Sequence, residues 1–142
     1  MFLIRSLLFG IIFYIGSVPY VLSALLGAYI SRPLLRSSVH GWSRFHHACA
    51  KWLLGIRVAV DGKLSEEPVL YAIKHEAMFE TIDMPRLFHL PAVITKRELF
   101  DSPGWGTAAQ SYGMIPVDRE AGASALRAMI TLARKIQAEG RP

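Results

Sequence analysis

The chain has 142 residues, of which 52% are hydrophobic, and a formal net charge of +5. This length limits the chain to one modest domain. The positive charge favours an anionic partner, and a lipid surface, a phosphorylated substrate and nucleic acid are the three alternatives. A single cysteine, Cys49, excludes an intramolecular disulfide framework and is typical of a reducing compartment.

An uncharged stretch covers residues 6–31 near the amino terminus. Its apolar core, residues 7–30, is long enough to span a hydrocarbon layer of about 30 Å. We therefore predict a membrane-embedded segment over residues 1–35. Pro19 and the glycines of this segment leave open a single spanning helix or a helix pair that dips into one leaflet. Arginine and lysine are more frequent after the segment than before it, which predicts a cell inner membrane protein with its remaining residues on the cytoplasmic face.

Residues 36–55 follow as a predicted basic amphipathic helix. Aromatic and apolar side chains recur at helical spacing on one side, with basic side chains opposite. The aromatic side either lies at headgroup depth on an anionic membrane or packs on a sheet as core, and the spacing does not choose. His40, His46, His47 and Cys49 lack the spacing of a usual metal site, so we predict no bound metal.

Residues 56–142 alternate between strand-like and helix-like patterns. Strands are predicted at residues 56–60, 69–73 and 92–95, with a hairpin turn at residues 61–62. Helices are predicted from residue 77 to about 87, before residue 111, and over residues 121–139, and Pro85 is expected to start or bend a helical stretch that ends near residue 90. The expected fold class is α/β, with a mostly parallel sheet layered by helices and preceded by the membrane helix or helix pair.

His75 and Glu80 form the candidate catalytic pair. On one helix, five residues would place them about 140° apart, too far round to touch. If His75 precedes the helix and Glu80 lies in its second turn, the carboxylate can reach back to one imidazole nitrogen and orient the ring as a general base. The pair alone is equally consistent with a surface histidine beside a solvated helix.

Two sequence blocks resemble those of the glycerolipid acyltransferases. Residues 74–80, Lys-His-Glu-Ala-Met-Phe-Glu, are similar to the family's first block, His-x4-Asp, with Glu80 in place of the usual aspartate. Residues 112–119, Tyr-Gly-Met-Ile-Pro-Val-Asp-Arg, resemble its second block. The likeness runs from about residue 42 onward and is closest to the members that acylate 1-acylglycerol-3-phosphate.

The resemblance implies further site residues. It places phosphate-binding residues in the second block, which favours Arg119, whose planar guanidinium matches a phosphate; Lys96 offers a point charge at a strand end. Either cation is also consistent with a solvated surface charge. Gly113 and Pro116 are expected to shape the backbone of the site, and Asp118 either pairs nearby or faces water.

The implied function is transfer of a fatty acyl group to the sn-2 hydroxyl of lysophosphatidic acid, which yields phosphatidic acid. The donor would be acyl-CoA or an acyl carrier protein, used as a substrate, and no cofactor is expected. Glycerol 3-phosphate or another lysophospholipid is the alternative acceptor. The family's third block, Phe-Pro-Glu-Gly-Thr-Arg, is absent, so we expect residues 1–142 to be an incomplete enzyme with little activity alone.

Other function classes fit the sequence less well. A serine hydrolase would need a Gly-x-Ser-x-Gly elbow, which the chain lacks. Dispersed basic residues after a membrane segment argue against nucleic-acid binding. A membrane-tethered binding module without catalysis explains the apolar start and the charge, but it leaves the two blocks unexplained.

Overall fold

The computed structural model describes residues 2–65, 67 and 69–142, except for the side chain of Arg119, which lies outside the described part. The fold is mostly helical, with one small parallel sheet. In chain order its elements are α1 (Phe2–Ile30), α2 (Arg32–Cys49), a π-helical turn (Ala50–Leu54), α3 (Met78–Leu87), β1 (Ile94–Lys96), a 3-10 turn (Arg97–Asp101), α4 (Trp105–Tyr112), β2 (Ile115–Val117), a second 3-10 turn (Arg119–Ala121) and α5 (Gly122–Ala138).

A one-residue connection at Ser31 folds α1 back onto α2. Ser31 has an extended backbone and caps α2, because its hydroxyl accepts a hydrogen bond from the Leu34 amide at 3.4 Å. Gly27 makes the tight reversal possible, since a Cβ there would lie 2.5 Å from the Leu35 amide nitrogen. The two helices therefore form a close hairpin, and Leu35 is fully buried at its turn.

Contacts join the two arms of this hairpin along its whole length. Near the turn, the hydroxyl groups of Ser38 and Ser23 are 2.8 Å apart. In the middle, the Trp42 indole donates to Ser17 Oγ at 2.8 Å. At the far end, Arg5 Nε donates to the carbonyl oxygen of Leu53 at 2.6 Å. The aromatic side of α2 thus packs on α1, not on the sheet. The predicted helix over residues 36–55 does end at Gly55, which has the left-handed conformation typical of a helix end.

The outer face of α1 is apolar and exposed. Only Phe13, Ser17 and Gly27 of this helix are buried. Its large exposed apolar side chains are Phe2, Leu3, Ile4, Leu7, Leu8, Ile11, Ile12, Tyr14, Ile15, Val18, Val21, Leu22, Leu26, Tyr29 and Ile30. By length and composition α1 is able to cross a membrane. An apolar surface of this extent is typical of a membrane-binding face.

The sheet pairs β1 with β2 in parallel, with Ile94 opposite Ile115 and Lys96 opposite Val117. Ile115 is buried, and α5 packs against β2. Parallel strands among helices agree in part with the predicted α/β class. Within the described ranges, however, the sheet has two strands only, and an extended sheet layered by helices is not shown.

Three local predictions are wrong. Residues 56–60 and 69–73 are not strands, and the predicted hairpin at residues 61–62 does not form. Leu70 is 84% exposed, and neither of these apolar runs finds a partner strand among the described residues. Pro85 does not start a helix, because it lies inside α3, which ends at Leu87. The alternative, a bend at Pro85, stays a prediction.

Candidate active site

The turn before α3 carries His75. Residues 69–76 have no regular secondary structure, and α3 begins at Met78 after Ala77, whose backbone is extended. Glu80 therefore occupies the third position of the helix, in its first turn and not in the predicted second turn. At this position a glutamate side chain can fold back to the amides that precede the helix, as in a capping box.

Glu80 Oε1 contacts three polar groups of this turn. It lies 3.0 Å from His75 Nδ1, accepts a hydrogen bond from the Ala77 amide at 2.7 Å, and accepts another from the Glu76 amide. The contact between His75 and Glu80 that the spacing predicts is thus present. The longer glutamate serves here where the resembling family has aspartate, because it spans the distance from the helix to both amides and the imidazole.

The same contacts set the charge of Glu80. Hydrogen bonds from the Ala77 amide and other backbone groups, with a further one from His75, lower the pKa of the Glu80 carboxyl from 4.5 to about 2. Donors stabilise the ionised form, so Glu80 is a carboxylate at any physiological pH. Proximity to the first helical turn acts in the same direction.

The other imidazole nitrogen points away from this contact. With Nδ1 facing a carboxylate, the neutral ring carries its proton there, and Nε2 has no hydrogen-bond partner among the described residues. The His75 side chain is 65% exposed. His75 Nε2 is therefore available to take a proton from a substrate that approaches the turn.

An apolar cavity of about 240 Å³ lies behind this turn. Its walls come from the hairpin, α3 and α4, and include Tyr20, Leu35, Met78, Thr81, Trp105 and Tyr112. Thr81 links the cavity to the candidate pair, because its hydroxyl is 3.5 Å from His75 Nδ1. No pattern in the sequence marks Thr81, although it lies next to Glu80 in the chain.

The second block forms β2 and the turn after it. Lys96 ends β1, is exposed, and has no ion pair within the described part of the chain. The backbone of Arg119 begins the 3-10 turn two residues after β2, the parallel neighbour of β1. No hydrogen bond or ion pair between described groups joins Lys96 to His75, and the roles of Lys96 and Arg119 stay predictions.

Gly113, Pro116 and Asp118 have backbone functions. Gly113 ends α4 with a φ of 93°, and a Cβ there would meet the Arg141 guanidinium at 2.3 Å. Pro116 lies in β2 opposite Thr95. Asp118 caps the following turn, because its carboxylate accepts a hydrogen bond from the Glu120 amide at 3.0 Å. The backbone roles expected of Gly113 and Pro116 fit these positions.

No metal-ligand cluster forms at the histidines of α2. Within the described residues no three His, Cys, Asp or Glu side chains converge. His46 instead lies among aromatic rings and His47 faces Asp83. The pKa of His46 is lowered, mainly by burial of its side chain, and the lowered pKa favours the neutral imidazole.

Comparison with known proteins gives one distant relative. The chain is 28% identical, over 123 residues, to a 1-acyl-sn-glycerol-3-phosphate acyltransferase of Pseudomonas aeruginosa. The match covers 82% of this chain and 47% of the relative, so the chain spans about half of the relative's length. No family model and no solved structure matches the chain. The similarity supports an acyltransferase function at the level of the family.

Proposed function

We propose that this protein transfers a fatty acyl group from an acyl thioester to the sn-2 hydroxyl of 1-acylglycerol-3-phosphate. The observation that carries the proposal is the contact of 3.0 Å between His75 Nδ1 and an ionised Glu80, in an exposed turn within a stretch similar to an acyltransferase. The acceptor and the thioester would come from the membrane and from acyl-CoA or an acyl carrier protein, respectively.

In the proposed mechanism His75 Nε2 removes the proton of the acceptor hydroxyl. The oxygen attacks the thioester carbonyl, and the tetrahedral intermediate collapses with loss of the thiolate, which takes the proton from the imidazolium. Glu80 stabilises that imidazolium through Nδ1 and keeps the ring oriented. The amides of Glu76 and Ala77 hold Glu80 in turn, so the base is fixed by backbone groups before substrate arrives.

The apolar cavity supports a lipid substrate. Its lining is almost wholly apolar, and it reaches Thr81, whose hydroxyl is 3.5 Å from His75 Nδ1. A hydrocarbon chain placed there would be removed from water while its ester or thioester end stays near the base. The acceptor phosphate would be bound by Arg119, with Lys96 as a second cation, at the carboxyl ends of the two strands.

The hairpin supports a membrane position parallel to the surface. Because α2 is packed along all of α1, a spanning α1 would carry Arg36 and Arg44 of α2 into the hydrocarbon layer. Each buried charge would cost about 3 kcal/mol or more. With the exposed face of α1 in one leaflet and α2 toward water, these charges stay hydrated. This arrangement favours the half-inserted alternative over a spanning helix.

An acceptor panel tests the proposed substrate. Membranes that contain the protein in its full-length form would be given one labelled acyl thioester with lysophosphatidic acid, glycerol 3-phosphate or lysophosphatidylcholine. We expect labelled product with lysophosphatidic acid and little with the other two. Equal labelling with glycerol 3-phosphate would favour the alternative acceptor, and thioester hydrolysis without any acylated lipid would contradict the proposal.

A further inference from the structure

A buried ionic cluster holds the other end of α3. Asp83 is 1% exposed. Arg86, one turn later, binds it with both arms of its guanidinium: Nε donates to Oδ1 at 2.8 Å and a terminal nitrogen donates to Oδ2 at 2.6 Å. A bidentate pair of this kind is geometrically specific, and the contact with Asp83 raises the pKa of Arg86.

The cluster joins α3 to α2. His47 Nδ1 lies 3.3 Å from Asp83 Oδ1, a close polar contact outside hydrogen-bonding geometry. One turn earlier on α3, the ring of Phe79 lies 5.1 Å from the ring of His46. Two consecutive residues of α2 therefore contact two residues of α3 that are four positions apart, which share one helix face.

Glu80 lies beside this contact face on α3. Glu80 follows Phe79 by one residue, so it lies about 100° around α3 from the face that packs on α2. That rotation turns its carboxylate toward residues 75–77. Asp83 is almost completely buried, and Arg86 binds both of its carboxylate oxygens. This contact therefore has a specific geometry that apolar packing alone would not give.

We propose that Asp83, held by Arg86 and facing His47, is a positioning residue that holds α3 against α2 and so keeps Glu80 on His75. The proposal rests on the proposed function in treating Glu80 as the partner of the base. Loss of the Asp83 charge would leave Arg86 half-buried without its carboxylate, would loosen α3 from α2 and would fray the first turn of α3. Fraying of that turn would separate Glu80 from its amide donors, and transfer would fall by about tenfold to a hundredfold at nearly unchanged KM.

The direct test is the titration of the Glu80 carboxyl by NMR, in protein labelled at glutamate and held in detergent micelles. The wild-type carboxyl is expected to titrate near its lowered value of about 2. In Asp83→Asn its pKa should rise by about one unit or more toward the ordinary value, because the donors withdraw. Arg86→Lys, which keeps the charge but loses the fork, should give a smaller rise and provides the second variant if Asp83→Asn does not fold.

Asp101→Asn is the matched control, since Asp101 is an exposed carboxylate outside α3. It should leave the Glu80 pKa unchanged. A lower melting temperature in both Asp83→Asn and Arg86→Lys with the Glu80 pKa unchanged would show a merely structural role and overturn the inference. This titration needs no acyl transfer, so its failure is separate from a failure of the proposed function, which the acceptor panel decides.

Discussion

Glu80 combines two tasks in one side chain. Its carboxylate caps the start of α3 through the amides of Glu76 and Ala77, and it also faces the imidazole of His75. A carboxylate that only oriented the ring would have no need of the amides. The capping contacts make the orientation independent of substrate, which is what a preorganised base requires.

The lowered pKa of Glu80 predicts an acid-dependent stability. The folded-state pKa is below the unfolded value of 4.5, so the contribution is fully present above pH 4.5 and is lost as the pH falls toward about 2. Glu80→Gln removes this dependence. Thermal unfolding followed between pH 2 and 6 should therefore show a wild-type advantage over Glu80→Gln that disappears at the acid end. An advantage that is constant with pH would contradict the assigned contacts.

The predicted role of Arg119 concerns the acceptor alone. Arg119→Ala should raise KM for lysophosphatidic acid by about tenfold or more and leave kcat nearly unchanged, because a charge-assisted contact to phosphate contributes to binding in both the ground and the transition state. Arg127→Ala, an exposed arginine of α5, is the control. Steady-state kinetics with varied acceptor would decide; a loss of kcat at constant KM would contradict the role.

Contacts between residues close in sequence were predictable, and contacts between distant residues were not. The spacing of His75 and Glu80 limits them to a reach-back across a helix start, and that contact is present. The pairing of Asp83 with His47 crosses from α3 to α2, and no local pattern signals it. Asp83 and Arg86 are three positions apart, a spacing that permits their pairing on one helix, but their pairing was not predicted.

At the scale of elements, the hairpin depends on Gly27. Gly27→Ala would force its Cβ against the backbone of Leu35, at 2.5 Å from the amide nitrogen, and should destabilise the fold by about 1–3 kcal/mol. Gly10→Ala is the matched control in the same helix, because nothing lies within 4 Å of its Cβ position. It should be neutral or stabilising by up to about 1 kcal/mol. Thermal unfolding in detergent measures both, and equal effects would contradict the close turn.

The membrane position of the hairpin is tested by labelling. In a Cys49→Ser background, Arg32→Cys at the turn of the hairpin and Arg57→Cys just after its other end each place an exposed thiol near one end of α1. If α1 lies parallel to the surface, an impermeant maleimide added to sealed inverted vesicles should label both positions to a similar extent. Labelling of one end only, with the other end reached after the vesicles are opened, would show that α1 spans the membrane.

Helices were predicted better than strands for a physical reason. The helices are local structures, so their apolar periodicity placed α2 and α5 within a few residues of their observed ends. A strand needs a partner elsewhere in the chain. Residues 56–60 and 69–73 have strand-like composition but find none among the described residues, whereas residues 94–96 pair with residues 115–117.

In the whole molecule, one layer of helices connects the exposed apolar face of α1 to the turn that carries His75. The exposed side of α1 faces the proposed bilayer, α2 packs on its inner side, and α3 packs on α2. The apolar cavity lies among these helices and α4 and reaches Thr81 beside His75. In the proposed function, a lipid chain that leaves the bilayer would therefore pass from one apolar surface to another and arrive at His75.

The central claim is that His75 is the base of an acyl transfer to a lipid hydroxyl. The most direct measurement compares wild type with His75→Ala, both full-length and in membranes, for formation of labelled phosphatidic acid from a labelled acyl thioester and lysophosphatidic acid. General-base help is worth about 10² to 10⁴ in rate, so His75→Ala should be nearly inactive at unchanged melting temperature. A His75→Ala protein that keeps most of the wild-type turnover would contradict the account.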